Sequence, residues 1–506
     1  MAKPLISRLV WQNVVHRIRG FGRLEIGIMS ARKTSALAAA IIALTVGQAA
    51  ADGLPNSVEQ VLRSGALSPD NLSVVMRRVG SKKSEIHHNA SVPRNPASAM
   101  KVVTTAAGLQ LLGPQFQWRT DALTNGRVVG NTLEGDLILR GGGDPWLVIE
   151  RFWLLAKKLR DAGIAHIRGD VVIDDTLFNR GAIETPAIDG KATRTYNTSP
   201  NALLVNFGAT VITVDAEPQG ARISLDPPTT TLKINNAVTL NNDDCTTKGR
   251  RITLNLQRGK KDSTLTVGGF FPRGCGASSY SRTLLPHGPY VYGVFAGLWQ
   301  QLGGTLAGDW RYGPTPSNAR TLAELESATL TEVIRYINKF SNNVMARNLL
   351  LSIASAAGAP SATPAQAERL IKAWLAENGI AMPQLHIDNG AGLSREARLT
   401  AEGLADLLES AVAMPYWPEF LGSLPIATVD GSLRKRFHNI TEPGRLRLKT
   451  GLLKNVRALA GYAIDRSGDI WVVVILHNDP RASQAIGIEI QHQLLESIFK
   501  GQPKNG

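Results

Sequence analysis

The chain has little cysteine. Among its 506 residues only Cys245 and Cys275 carry thiols, which excludes a cysteine-dense disulfide scaffold and any cysteine-rich zinc module. The nine histidines offer no spacing that would complete a metal site around two thiols, so neither a metal nor a cofactor is expected. A phosphate-binding loop is missing too. Gly141-Gly142-Gly143 leads into Asp144-Pro145 with no Gly-Lys-Ser/Thr or Gly-x-Gly-x-x-Gly after it, and it reads as a tight turn. There are no internal repeats, no low-complexity tracts and no nucleic-acid recognition motif. The apolar run over 35–46 is too short to span a bilayer.

What is present suits a soluble globular protein of more than one domain: 43% hydrophobic and 19% charged residues over a length beyond one ordinary core. Arg32-Lys33, the apolar run 35–46 and Ala49-Ala50-Ala51 form the n-region, h-region and Ala-x-Ala cleavage site of an export signal. Residues before Met29 read as an upstream extension. The first 51 residues hold seven Lys/Arg and one Glu, so cleavage near Ala51 lowers the formal charge from +15 to about +9. That excess fits weak attraction to an anionic envelope polymer or an ordinary solvated surface. It gives no reason to expect nucleic acid, and membrane contact is expected to be peripheral at most. In an exported protein the isolated pair Cys245 and Cys275 reads as one disulfide closing a hairpin-rich surface segment.

Three short signals then occur in order. Ser98-Ala99-Met100-Lys101 follows Asn95-Pro96-Ala97, and Pro96 biases its predecessor away from helix. The apolar stretch Val102, Val103, Ala106, Leu109, Leu111, Leu112 ends at Gly113-Pro114, so a core helix is expected with Ser98 in its first turn. Lys101 then shares a helical face with Ser98. A hydroxyl becomes a nucleophile only beside a base, and an amine one turn away supplies it. Ser-x-x-Lys also occurs at Ser30/Lys33, Ser432/Lys435 and Ser497/Lys500, but none opens a buried helix. Ser341-Asn342-Asn343 lies between apolar segments near a helix junction, whereas the second Ser-x-Asn, Ser199-Pro200-Asn201, has no such setting. Lys449-Thr450-Gly451 follows the alternating run Arg445-Leu446-Arg447-Leu448, which reads as a strand with one face buried. Lys449 supplies a cation and Thr450 a hydroxyl, together able to hold a substrate carboxylate. Each tripeptide alone also reads as a surface turn; the ordered trio points to an active-site serine.

With these motifs, and with Leu139-Arg140-Gly141-Gly142-Gly143-Asp144-Pro145, Asp388-Asn389-Gly390-Ala391-Gly392-Leu393-Ser394-Arg395 and Leu424-Pro425-Ile426-Ala427-Thr428-Val429-Asp430-Gly431, the chain resembles the class C low-molecular-mass penicillin-binding proteins. These are D-alanyl-D-alanine carboxypeptidase/endopeptidases of the penicillin-binding protein 4 type. The resemblance implies an α/β (α+β) serine β-lactamase/transpeptidase-like domain, an antiparallel sheet flanked by helices, interrupted by a large β-rich insertion. The expected division is 1–51 extension and signal peptide, 52–118 with 316–506 catalytic, and 119–315 inserted, as two modules. Helical periodicity is read to resume at Leu322-Ala323-Glu324-Leu325.

The resemblance also implies roles. Ser98 is expected to attack, with neutral Lys101 as base, Ser341 relaying the proton to the leaving amine and Asn343 holding the penultimate amide. The backbone N–H groups of Ser98 and Leu452 would form the oxyanion hole, and Lys449, Thr450 and Gly451 would receive the terminal carboxylate of D-alanyl-D-alanine. Arg395 is the basic candidate for the far end of the stem peptide. Relatives of this type carry a Trp-rich stretch with a carboxylate before the segment matching Tyr196-Asn197-Thr198-Ser199-Pro200; here 187–194 has no Trp, and Asp189 is the substitute. The expected partners are peptidoglycan peptides and, as covalent inhibitors, β-lactams, with the exported enzyme working in the periplasm. The alternatives are a β-lactamase or esterase of the same fold, or an envelope-binding scaffold without catalysis.

Overall fold

The computed structural model describes residues 53–500 except 82, 184–186, 247–248 and 260–261. The export signal and the upstream extension lie outside the described residues. Among the described residues no helix is long and apolar enough to cross a membrane.

The central feature is a five-stranded antiparallel sheet in the order Leu446–Leu453, Val456–Ile464, Ile470–Asn478, Leu72–Arg78, Ile86–His88. Its middle strands carry unbroken apolar runs because both faces are covered. Along Ile470–Asn478, Val473 and Ile475 point into a core formed with the helices Asn56–Ser64 and Ala485–Phe499, while Val472, Val474 and Leu476 point into the larger core around the helices Met100–Leu112 and Ala401–Val412. A period of two, applied to β-branched residues, sends alternate side chains to opposite cores. Helices Leu330–Lys339, Asn343–Ala356 and Pro364–Glu377 complete the larger core. The first and third begin at Thr329 and Thr363, each a reciprocal cap with Glu332 or Gln366.

Between Leu112 and Leu330 the chain builds a second core. One sheet runs in the order Trp310–Tyr312, Val171–Asp174, Leu137–Arg140, Arg119–Thr124, Arg320–Glu326. The parallel pair Leu137–Arg140 and Val171–Asp174 is joined through the helix Ile149–Asp161, and a second helix, His287–Gln301, precedes the parallel strand Trp310–Tyr312. The region therefore contains two well-formed helices beside its strands. Smaller sheets add the strands Thr210–Glu217, Gly220–Asp226 and Ser278–Arg282, and Leu232–Asn241, Arg251–Arg258 and Ser263–Pro272.

The helical reading of 322–325 is incorrect: Arg320–Glu326 is a strand paired antiparallel with Arg119–Thr124. Ala323 and Leu325 are buried and Glu324 and Glu326 exposed, so the period is two, and the neighbouring strand, which sequence alone does not display, decides between the patterns.

Cys245 and Cys275 form a disulfide with Cα atoms 5.4 Å apart. It lies just beyond the ends of the parallel strands Leu232–Asn241 and Ser263–Pro272, which are also joined by the Arg273 N–H donating to the Asn241 carbonyl at 2.9 Å. Denatured, unreduced protein should show no reactive thiol. Reduction should destabilise this sheet by about 2–4 kcal/mol, since the bridge closes a separation of 30 residues. Two titratable thiols in unreduced material would refute the pairing.

Candidate active site

The segment leading to Ser98 is fixed before the helix begins. Asn95 and Asn478 bond reciprocally: the Asn95 N–H donates to Asn478 Oδ1 at 2.8 Å, and Asn478 Nδ2 donates to the Asn95 carbonyl at 3.0 Å. Asn95 Oδ1 accepts from the Ala97 N–H at 2.9 Å, and its Nδ2 donates to the Ser394 carbonyl at 2.8 Å. Ala97 is driven to φ +44°, a left-handed conformation that costs a non-glycine residue about 1–2 kcal/mol. Ser98 sits in the 3₁₀ turn Ala97–Ala99, and the α-helix Met100–Leu112 follows directly.

Lys101, fully buried, donates to Ser98 Oγ at 3.0 Å, Asn343 Oδ1 at 2.7 Å and the Ala391 carbonyl at 2.6 Å. Gly392 stands at φ +68° against the Ala97 carbonyl, where a Cβ would collide; only glycine lets this loop close on the lysine. Asn343 also donates from Nδ2 to the Tyr196 carbonyl at 3.1 Å. It therefore joins Lys101 to the turn Thr195–Asn197.

Ser341 lies between the helices Leu330–Lys339 and Asn343–Ala356 at φ +56°. Asn342 is the cap of the second helix, accepting the Met345 N–H at 3.1 Å. The middle residue of the motif thus shapes the backbone while its two neighbours face the site. Lys449, also fully buried, donates to Ser341 Oγ at 2.9 Å and to the Thr450 carbonyl at 2.8 Å. A Cβ on Gly451 would come within 2.5 Å of the Pro96 carbonyl, so the glycine lets the strand approach the turn before Ser98.

Burial shapes the electrostatics. It pushes Lys101 well below the usual ammonium range, and the Lys449 and Arg347 cations lower it further. Burial also brings Lys449 down to about 7. Arg347, one turn along the helix from Asn343, donates to the Thr198 carbonyl at 2.9 Å, and burial lowers it to about 10. Lys449 donates only to neutral oxygens, so its charge remains for an incoming anion, whereas Arg347 also feels the Asp388 carboxylate.

Ser98, Lys101, Ser341, Asn343, Lys449, Thr450 and Gly451 are thus brought into one cluster. Leu452 follows on the same strand, 56% exposed. Arg395 is exposed and donates to the Lys454 carbonyl at 2.9 Å, one residue past that strand. Asp189, exposed, accepts from the Tyr196 hydroxyl and from Asn197 Nδ2. Among the described residues neither bonds the cluster directly; Asp189 connects to it through Tyr196, whose carbonyl meets Asn343. Sequence reading missed Ser432, whose Oγ accepts from Thr450 Oγ1 at 2.8 Å. It also missed the Lys339–Asp430 ion pair at 2.6 Å, which ties the 424–431 block to the end of the helix before Ser341.

A serine and two depressed lysines at the edge of a helix-covered antiparallel sheet define a serine peptidase of the penicillin-recognising class. Residues 54–497 match the D-Ala-D-Ala carboxypeptidase 3 (S13) family, and the chain belongs to it. It is 27% identical over 438 residues to a D-alanyl-D-alanine carboxypeptidase of Actinomadura sp. (strain R39), covering 83% of this chain and 80% of that one. It is 24% identical over 446 residues to the D-alanyl-D-alanine carboxypeptidase DacB of Haemophilus influenzae, covering 85% and 91%. Among solved structures, penicillin binding protein 4 from Haemophilus influenzae shares the fold, with a TM-score of 0.73 at 23% identity over 88% of this chain and 100% of that one.

Proposed function

We propose that this peptidase cleaves the D-alanyl-D-alanine end of peptidoglycan stem peptides through an acyl-enzyme on Ser98. The observation that carries this is Lys101 Nζ, buried and with a depressed affinity for protons, 3.0 Å from Ser98 Oγ. Lys101 takes the hydroxyl proton as Oγ attacks the penultimate carbonyl carbon. The oxyanion is held by the N–H groups of Ser98 and Leu452. Ser341, polarised by Lys449, passes a proton to the departing amine of D-alanine, and water then releases the acyl group from Ser98. Asn343 Nδ2 orients the peptide, while Lys449 and Thr450 hold the terminal carboxylate, with Gly451 keeping the strand close.

A β-lactam carries the same carboxylate beside a reactive carbonyl, and a solved relative of this fold is complexed with one. The same reading makes 52–118 with the residues after the strand Arg320–Glu326 the catalytic part, and the segment between, whose sheet includes that strand, an insertion that reaches the site where the Tyr196 carbonyl meets Asn343. Arg395 and Asp189 would receive the far end of the stem. An export signal cleaved near Ala51 would deliver the enzyme to the periplasm.

The test is D-alanine release from a soluble stem pentapeptide, with labelling by a fluorescent penicillin. The kcat/KM for release should be bell-shaped in pH. It rises as Lys101 loses its proton and becomes a base, and falls above about pH 7 as Lys449 loses the charge that binds carboxylate. Absence of labelling together with absence of D-alanine release would sink the proposal.

A further inference from the structure

The outer strand of the central sheet, Leu446–Leu453, is met along its free edge by the segment that ends in Ser432. The Ala427 N–H donates to the Leu446 carbonyl and the Leu448 N–H to the Pro425 carbonyl, both at 3.0 Å, so backbone groups that an edge strand would leave open are paired. The Asp430 carboxylate then pins the following turn at two points. Its Oδ1 accepts from the Ile426 N–H at 2.8 Å and its Oδ2 from Lys339 Nζ at 2.6 Å. Gly431 stands at φ +56°, where a Cβ would come within 2.6 Å of the Lys339 carbonyl, so glycine alone lets the turn lie against the end of the helix before Ser341. Ser432 comes next, exposed, in the 3₁₀ turn Gly431–Leu433, and its Oγ accepts from Thr450 Oγ1 at 2.8 Å. A turn tied both to the strand of Lys449 and to the helix before Ser341 thus presents one hydroxyl at the site.

We propose that Ser432 is a specificity-determining residue whose hydroxyl donates to the terminal carboxylate of the substrate, beside Lys449. A hydroxyl carries one proton. Thr450 commits its own to Ser432, so the O–H left to donate outward is that of Ser432, the exposed member of the pair. A carboxylate has two oxygens with about four acceptor sites between them, more than a single ammonium group fills. With Lys449 on one oxygen, a hydroxyl 2.8 Å from Thr450 Oγ1 is placed for the other, and Thr450 contributes by orienting it. The charges nearby suit an anion: Lys449 donates only to neutral oxygens, and the one carboxylate of the turn, Asp430, is already paired with Lys339. This assignment rests on the carboxylate-binding role proposed above for Lys449 and Thr450.

The experiment compares Ser432→Ala and Ser432→Thr with wild type, on a stem pentapeptide ending in a free carboxylate and on a neutral thioester without one. Ser432→Ala should raise KM for the peptide about tenfold with kcat little changed, because a donor to a charged group held throughout the reaction is lost. Its acylation by the thioester and its melting temperature should match wild type. Ser432→Thr keeps a hydroxyl and should bring KM back to within about twofold of wild type. An unchanged peptide KM in Ser432→Ala would overturn the assignment. So would equal losses on the two substrates or a lowered melting temperature, either of which makes Ser432 a support for the turn. Failure of the peptidase reading looks different: wild type itself would release no D-alanine and take no fluorescent penicillin, and the carboxylate site would fall together with the place of Ser432 in it.

Discussion

Ser98→Ala is expected to abolish the covalent penicilloyl adduct and to slow D-alanine release by about 10³-fold or more, in a protein that remains folded. The asymmetry follows from the bonds that survive. Ser98 is only half-buried, and Lys101 keeps two of its three acceptors, Asn343 Oδ1 and the Ala391 carbonyl. The fold should therefore lose no more than about 1 kcal/mol. Intact-mass spectrometry after incubation with penicillin decides the matter, because an adduct on the variant would place the nucleophile elsewhere.

Lys449→Ala should lose activity selectively. A stem peptide with a free terminal carboxylate gives up a charge-assisted contact worth ~1.5–3 kcal/mol, about ten- to a hundredfold in kcat/KM. A neutral thioester without that carboxylate should be acylated nearly as before. The competing role of Lys449 is to keep Lys101 deprotonated, but burial is the larger cause of that depression and Lys449 the second. If the electrostatic role dominates, both substrates slow equally and the rising limb of the pH profile moves upward, because Lys101 without its cationic neighbour holds its proton longer. Equal losses with that shift would remove Lys449 from the carboxylate site.

Local patterns carried the parts of the site that are local. Ser98 and Lys101 are three residues apart, Lys449-Thr450-Gly451 ends an alternating run, and the strands at Val456–Ile464 and Ile470–Asn478 announce themselves by their apolar residues. What escaped was decided across the chain. Asn95 meets Asn478 from 383 residues away, and no periodicity marks either. Ser432 reads in sequence as a poor Ser-x-x-Lys, because a hydroxyl that bonds Thr450 across the chain leaves no trace in the residues beside it. Arg347 reads as a charged position in a helix, yet it is buried and aimed at the Thr198 carbonyl. The strand Arg320–Glu326 failed for the same reason, its period being settled by Arg119–Thr124 two hundred residues earlier in the chain.

The strand Leu72–Arg78 is hydrogen-bonded to Ile470–Asn478, so nearly the whole polypeptide lies between the two partners that close the central sheet. Contacts of such separation form late and slowly. Until the last strands arrive, Asn95 has no Asn478 to fix the turn before Ser98, and Lys101 has no Lys449 beside it. The turn that carries Ser98 is thus completed only when the strands bearing Lys449 and Asn478 dock, and a chain cut before them is expected to hold Ser98-Ala99-Met100-Lys101 without the contacts that fix it.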